Sequence, residues 1–580
     1  MRRIVLVVML TLVQAFVWAQ SSEELEAILE VLGVMHVEDA DGDEVERLYG
    51  IMRHPIRLNM AGGHVLESSG LFTPYQIASI ADYRSRHGDI LSYMELSAVD
   101  GFTPGAVNAL RRFVSLAPSL DGIQRKKSIP VIKGDLDVRA SMKMTEDDDG
   151  RALQEGWLVP WTSSSVDWKY SARGKIQCRE TLSLSASVSN GGVYSGNATY
   201  VHRYGKVIVG DFNARFGQGL CLWNTTQIGS SLAPSAFMKK ASGLSPSYSF
   251  TGNYAMTGLA ADVALNKWKL SAFASAPGIK NGAFDSVLPA VNVARYFRFG
   301  HVSATHSMTF GNLRTEYFTI PQMCSSVDAS LCFRGVNVFG EGMYDWVAGE
   351  ASAVAGVQSG LGEYSEAAAM ARYLPGSNEH GAAFSWQLQK RGHLCVVTSD
   401  ALYHPQSKSK DGSVSTQLKV QAKWRWDISD MLYSEMRVTE RLRTWGEASR
   451  IDARVDAGVR MGPWTVSGRV NLLNCVSWSA LGYLEADYVL SEKIRCYLRQ
   501  GVFMIDNWDD RIYVYEHDAP GSFTVPAFYG RGVWTSFYGK WRFARWGSVY
   551  MRASYTSYPM VKEKKKPGKA ELKFQLALHF

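Results

Sequence analysis

From residue 131 to its last residue the chain is written in alternation. The segment "ELKFQLALHF" (Glu571 to Phe580) puts Leu572, Phe574, Leu576, Leu578 and Phe580 on one face of an extended strand. Glu571, Lys573, Gln575 and His579 fall on the other face. A period of two marks a strand with one face in an apolar medium and the other in a polar one. The pattern recurs in "QLKVQAKWRW", which sets Leu418, Val420, Ala422, Trp424 and Trp426 against Gln417, Lys419, Gln421, Lys423 and Arg425. In "VWTSFYGKWRF", Phe537, Trp541 and Phe543 oppose Tyr538, Lys540 and Arg542. A closed sheet of this length is too wide for side chains to fill, so the apolar faces are expected outward and the polar faces inward.

Turn signals divide residues 131–580 into about 24 antiparallel strands. Eleven short connections are predicted at Gln177-Cys178, Gly205, Asn266-Lys267, Gly300, Arg334-Gly335, Ser359-Gly360, Arg391-Gly392, Ser429-Asp430, Gly462-Pro463, Ser491-Glu492 and Arg545-Trp546. Longer ones are predicted at 145–165, 217–252, 276–290, 505–531 and 558–570. Short turns on one side, long loops on the other and a closed sheet without edges are the features of a transmembrane barrel. The terminal alternating strand, closing on an aromatic residue, resembles the assembly signal of bacterial outer-membrane barrels. That resemblance implies an outer-membrane protein, in contact with lipid and monomeric.

The rest of the chain is consistent with export. "MRRIVLVVMLTLVQAFVWAQ" has two arginines, an apolar core and small residues at Val17 and Ala19, so residues 1–19 are predicted to be a signal peptide. No later stretch has the ~18 unbroken apolar residues of a spanning helix. Seven cysteines are scattered without CxxC spacing and predict neither a disulfide framework nor a metal site. The motifs of hydrolases, metalloproteases and P-loop enzymes are missing, and His202, His301 and His306 have no local partner pattern, so no catalytic residue, cofactor or metal is predicted.

Residues 20–120 differ in kind. Between Ser21 and Leu120 there are fifteen Asp and Glu against seven Arg and no Lys, in a helical pattern. The stretch "APSLDGIQRKKSIP" places a linker at 121–130. Two related halves, "IRLNMAGGHVLESSGLFTPYQIASIADYR" and "DILSYMELSAVDGFTPGAVNALRRFV", each read as helix, glycine turn, Thr-Pro helix start and helix. With Leu58, Asn59 and Ala61 leading into them, residues 56–116 resemble the tandem helix-hairpin-helix module of competence-type DNA receptors. The fold predicted is therefore a β-barrel preceded by an all-α helix-hairpin-helix domain.

Two uses of that module stay open. DNA binding would place phosphates at Gly70 and Gly101, with Arg84, Arg86, Arg111 and Arg112 as contacts. Against it, the second glycine position of each hairpin holds Phe72 or Thr103, whose side chains are expected to block close approach, and the acidic balance repels a polyanion. The preferred alternative is a plug or a docking module for a periplasmic or outer-membrane protein partner.

Two barrel motifs are dense in functional side chains. "GDFNARFGQGLCLW" (Gly210 to Trp223) predicts either a loop folded back at Gly217 and Gly219, with Asp211, Arg215 and Gln218 lining a passage, or a sharp strand exit at the barrel rim. "DDRIYVYEHD" (Asp509 to Asp518) with "PAFYGRG" (Pro526 to Gly532) adds Arg511, Glu516 and Arg531. Its carboxylates, Asp509, Asp510, Glu516 and Asp518, lack the spacing of a calcium loop. Together with the hairpin domain, these stretches resemble a family of outer-membrane proteins joining a periplasmic helix-hairpin-helix domain to a C-terminal barrel. The inward Lys419, Lys423, Arg425, Lys540 and Arg542 predict a basic lumen, and a channel or translocation component is the expected function.

Overall fold

A computed structural model describes residues 20–118, 132–145, 166–178, 181–190, 192–202, 204–224, 232–248, 250, 255–276, 286–311, 321–408, 412, 414–446, 449–559 and 568–580. The predicted signal peptide and linker lie outside the described residues.

Among the described residues, six α-helices come first: α1 (Gln20–Leu32), α2 (Gly42–Arg53), α3 (Gly63–Ser68), α4 (Pro74–His87), α5 (Tyr93–Ser97) and α6 (Pro104–Leu110). Their starts follow local chemistry. The Asp41 carboxylate accepts from the N–H groups of Asp43 and Glu44 ahead of α2. Thr73 and Gln76 form a reciprocal capping box at α4, and Thr103 caps α6. Gly70 and Gly101, both at positive φ, turn α3 into α4 and α5 into α6. Ile28, Leu48, Leu58, Leu66, Phe72, Ile80, Leu96, Phe102 and Phe113 form a core belonging to these helices. Asn59 ties the halves together, its side chain exchanging 2.9 Å hydrogen bonds with both backbone groups of Ile90. The expected all-α domain needs one correction: Ile56–Arg57 pairs in parallel with Val114–Ser115, clasping the two ends of the hairpin module together.

Among the described residues, twenty-four strands then close an antiparallel ring. They are β1 (Ile132–Thr145), β2 (Val166–Cys178), β3 (Leu182–Ser189), β4 (Gly192–His202), β5 (Gly205–Arg215), β6 (Met256–Leu265), β7 (Trp268–Ser275) and β8 (Ser286–Phe297). Next are β9 (Gly300–Met308), β10 (Met323–Phe333), β11 (Val336–Asp345), β12 (Glu350–Gly360), β13 (Ser365–Leu374), β14 (Glu379–Lys390), β15 (His393–His404) and β16 (Ser415–Asp427). The ring finishes with β17 (Leu432–Arg443), β18 (Ser449–Met461), β19 (Trp464–Asn474), β20 (Trp478–Ser491), β21 (Ile494–Ile505), β22 (Gly530–Ala544), β23 (Gly547–Ser557) and β24 (Lys569–His579). β24 pairs with β1, from Asp135 opposite His579 to Thr145 opposite Lys569, which joins the last strand to the first.

The eleven connections on the side of the barrel's two ends are two to four residues long, and each falls within two residues of a predicted turn. Positive φ at Asn266, at Arg334 with Gly335 and at Arg391 with Gly392 gives the tight hairpins a twist that matches their strands. One long connection is shorter than predicted. β8 starts at Ser286 and runs through Pro289, near the strand start where a missing N–H is tolerated.

The alternation resolves as expected. Leu418, Trp424, Leu572 and Phe574 face outward, whereas Gln421 and Gln575 are buried inside. Exposed Trp268, Phe299, Phe333, Trp424, Trp464, Trp541 and Trp546 cluster around the short-turn end. An apolar outer wall with an aromatic girdle on a closed ring is the architecture of a transmembrane barrel of the outer-membrane type.

Candidate functional site: the inner wall and what fills it

The helical segment is seated against the inner wall. It carries a net charge of −8 in a chain whose total is +7, leaving +15 for the rest. That opposition reappears as ion pairs around the ring. Glu26 of α1 meets Arg425 of β16 at 2.8 Å, and Glu44 of α2 meets Arg215 of β5 at 2.5 Å. Glu46 pairs with Arg173 of β2, and Glu67 of α3 with Lys269 of β7. Glu38, after α1, receives Arg454 of β18 at 3.1 Å and Arg469 of β19 at 2.7 Å, and both arginines also reach Asp456 at 2.6 Å. Between these, the Lys423 ammonium donates to the Met35 carbonyl and Lys206 to the Ser68 hydroxyl.

The electrostatics follow from burial against charge. Burial raises the Glu38 carboxyl, and the guanidiniums of Arg454 and Arg469 outweigh it, holding the group well below the usual carboxylate range. Glu44 responds likewise, burial opposing Arg215 and Arg47, and settles at about 2. Burial and then the nearby Arg437 keep the His36 imidazole, which pairs with Gln421, far below its ordinary value. Both carboxylates are thus charged and neutralise wall cations at neutral pH.

Two loops also fold inward. After β5 the chain turns at Gly217 and Gly219, both at positive φ. The Glu341 carboxylate of β11 accepts the N–H groups of Gln218 and Leu220 at 2.7 and 3.0 Å. The loop continues to Phe237 and Met238, packed on Phe339, Ala368 and Ala383, while the Ala233 N–H donates to the Gly33 carbonyl of the helical segment at 2.7 Å. Tyr248 and Phe250 then lie under the Arg173 guanidinium. The loop folds back at the two expected glycines, and its candidate residues have partners within the protein. Asp211 accepts from Gly196 N–H and the Thr257 hydroxyl, Arg215 holds Glu44, and Gln218 accepts from Lys239 N–H.

The second loop, between β21 and β22, packs on β20–β24 and on the helices. Glu516 pairs with Arg552 of β23, and Asp518 with Lys573 of β24 at 2.8 Å. Asp510 accepts from Val476 and Ser477 N–H. Asp510, Glu516 and Asp518 are thereby committed to protein donors. The Tyr515 N–H reaches Glu38, and Phe523 packs on Gly42. Arg511 stacks on Trp508, and the exposed Arg531 binds Asp506 at 2.7 Å. Arg542, counted as a lumen cation, instead lies exposed at the short-turn end, donating to the Glu492 carbonyl beside the irregularity that ends β22.

The hairpin glycines abut side chains of the helical segment itself. A Cβ on Gly101 would fall 2.8 Å from the Tyr75 ring, and one on Gly70 3.3 Å from the Arg47 guanidinium. Phe72, expected to block an approaching phosphate, is instead wholly buried in the helical core. Arg84 donates to the Ala61 carbonyl, Arg86 pairs with Asp82, and Arg111 lies over Tyr93. Arg112 follows at the end of α6.

The residues that sequence reasoning missed are the carboxylates of the helical segment itself. The charge difference between the two zones was their only signal. It also missed His54, Asp135 and His579, which come together at the barrel seam.

No family model and no curated protein matches this chain. Solved structures are similar to it in outline. The P pilus usher (PapC) translocation pore is 8% identical over 77% of this chain and 99% of that one, with a TM-score of 0.33. The copper transporter OprC is 8% identical over 77% and 82%, with a TM-score of 0.39. The siderophore receptor PirA from Pseudomonas aeruginosa is 8% identical over 78% and 81%, with a TM-score of 0.38.

Proposed function

We propose that the chain is a gated transport or translocation barrel, with its helical segment as a plug that must move or unfold for cargo to pass. One observation carries this: the segment's carboxylates neutralise wall cations on β2, β5, β7, β16, β18 and β19. A structural filler needs only apolar packing. Buried ion pairs are costly to form relative to apolar contacts, yet they re-solvate readily once separated, which suits a part that leaves. Once bared, the wall would favour anionic cargo. The short-turn end, where both barrel termini lie, is taken as periplasmic, so the plug would be engaged by a periplasmic or outer-membrane protein partner.

The test is planar-bilayer recording of the purified chain and of a form lacking residues 20–118. The whole chain should be nearly closed and the deletion form conductive and anion-preferring. A silent deletion form that still folds as a barrel would sink the proposal. Protease added to intact cells should cut loops on the long-loop side; cleavage between Ala61 and Arg112 would reverse the orientation.

A further inference from the structure

At the seam where the ring closes, three donors from distant parts of the chain converge. Asp135 on β1 and His579 on β24 are direct cross-strand partners, and their Oδ1 and Nδ1 atoms lie 2.6 Å apart. His54, the C-cap residue following α2, brings its Nε2 to 3.6 Å from the same Oδ1. The imidazoles stand nearly edge to face, at 77° with centroids 6.3 Å apart. One ligand atom from each residue lies within 4.8 Å of the other two.

We propose that His54, Asp135 and His579 form a binding site for a late first-row divalent cation, zinc above all. Two imidazoles and a carboxylate are a borderline donor set of the kind that zinc takes, and calcium or magnesium would require oxygens throughout. In a tetrahedral zinc site with bonds of about 2.0–2.1 Å, donor atoms sit roughly 3.3 Å apart. The 3.6 Å pair is already near that value. The 2.6 Å pair must open by well under an ångström as its shared proton leaves. His54, 64% exposed at its side chain, has the freedom to adjust and leaves the fourth position to water.

The three ligands come from three structural units. Asp135 and His579 belong to the two strands that close the barrel, next to the Gly134 and Phe580 backbone pair, and His54 belongs to the helical segment. A bound ion would staple that segment to the seam. Its effect on gating rests on the plug proposal above; the site itself does not.

Cobalt(II) is the probe, titrated into the metal-free full chain in detergent and then displaced with zinc. The wild type should bind one equivalent with a visible tetrahedral ligand-field band that zinc abolishes. His54→Ala, at an exposed position, should weaken binding by about tenfold or more. His54→Cys should retain binding and add a thiolate-to-cobalt charge-transfer band, which no purely structural role of His54 would produce. Absence of saturable binding in the wild type, unchanged affinity in His54→Ala, or no new band in His54→Cys would each overturn the proposal. Because the readout is spectroscopic, a chain that binds cobalt but never conducts would refute the plug and leave the metal site standing.

Discussion

Glu44, in the first turn of α2, and Arg215, the last residue of β5, meet at 2.5 Å with both side chains buried. The contact binds the acidic segment to the basic wall at the point where the first inward loop begins. It also makes the wall, loop and helices one electrostatic unit. Four expectations follow from contacts of this kind.

Glu38→Ala should unseat the helical segment more than Glu26→Ala. Removing Glu38 leaves the buried Arg454 and Arg469 with only Asp456 between them, and breaking a buried pair typically costs ~3–5 kcal/mol. Glu26 is 46% exposed at its side chain, and its pair with Arg425 is worth only ~0–1 kcal/mol. Conductance of the two variants should rank in that order; equal conductance would show that Glu38 does not hold the segment.

Acid should release the segment. The folded pKa of Glu44 is about 2 against an ordinary 4.5, so its contribution is present above 4.5 and is lost as pH falls from there through about 2. The span corresponds to at most about 3 kcal/mol. Glu38, shifted in the same direction, adds to the loss. Protease sensitivity of the segment should rise across that window, and in Glu44→Gln the dependence should flatten.

Gly217→Ala should loosen the first inward loop. At φ +59 an L-residue is strained, and its Cβ would come within 2.8 Å of the Glu341 carboxylate. Strain and displacement of that carboxylate together cost on the order of 1–3 kcal/mol. Gly349→Ala, at φ +70 but with open space around it, serves as the comparison and should cost less. Thermal melting monitored by near-UV circular dichroism reads both.

The full chain should not bind duplex DNA appreciably at physiological salt. Gly70 and Gly101 face the Arg47 and Tyr75 side chains, and Arg84 and Arg86 already have partners within the helices. Titration with labelled duplex at two salt concentrations checks this. Binding near ~10⁻⁴–10⁻⁶ M that weakens with salt and is lost in Arg111→Ala/Arg112→Ala would instead favour a DNA receptor.

What the sequence determined by itself was everything that depends on neighbours along the chain. Side-chain direction alternates with every residue, so "QLKVQAKWRW" and "ELKFQLALHF" disclosed their faces. The Arg-Gly turns disclosed the hairpins, and Thr73-Pro74 and Thr103-Pro104 the helix starts. These follow from backbone sterics and hydrogen bonds within a few residues. The inside of the barrel was another matter. Alternation says that Arg469 and Gln421 face inward but not what they meet, and their partners, Glu38 and His36, lie hundreds of positions away. The partners of the first inward loop were hidden for the same reason: Glu341 and Thr257, which engage Gln218 and Asp211, carry no local mark. Only closure of the ring, with β24 hydrogen-bonded to β1, fixed the curvature that set those groups face to face. Long-range electrostatic pairing is a property of that enclosed volume, in which the acidic helices and the basic wall share space that water would otherwise occupy.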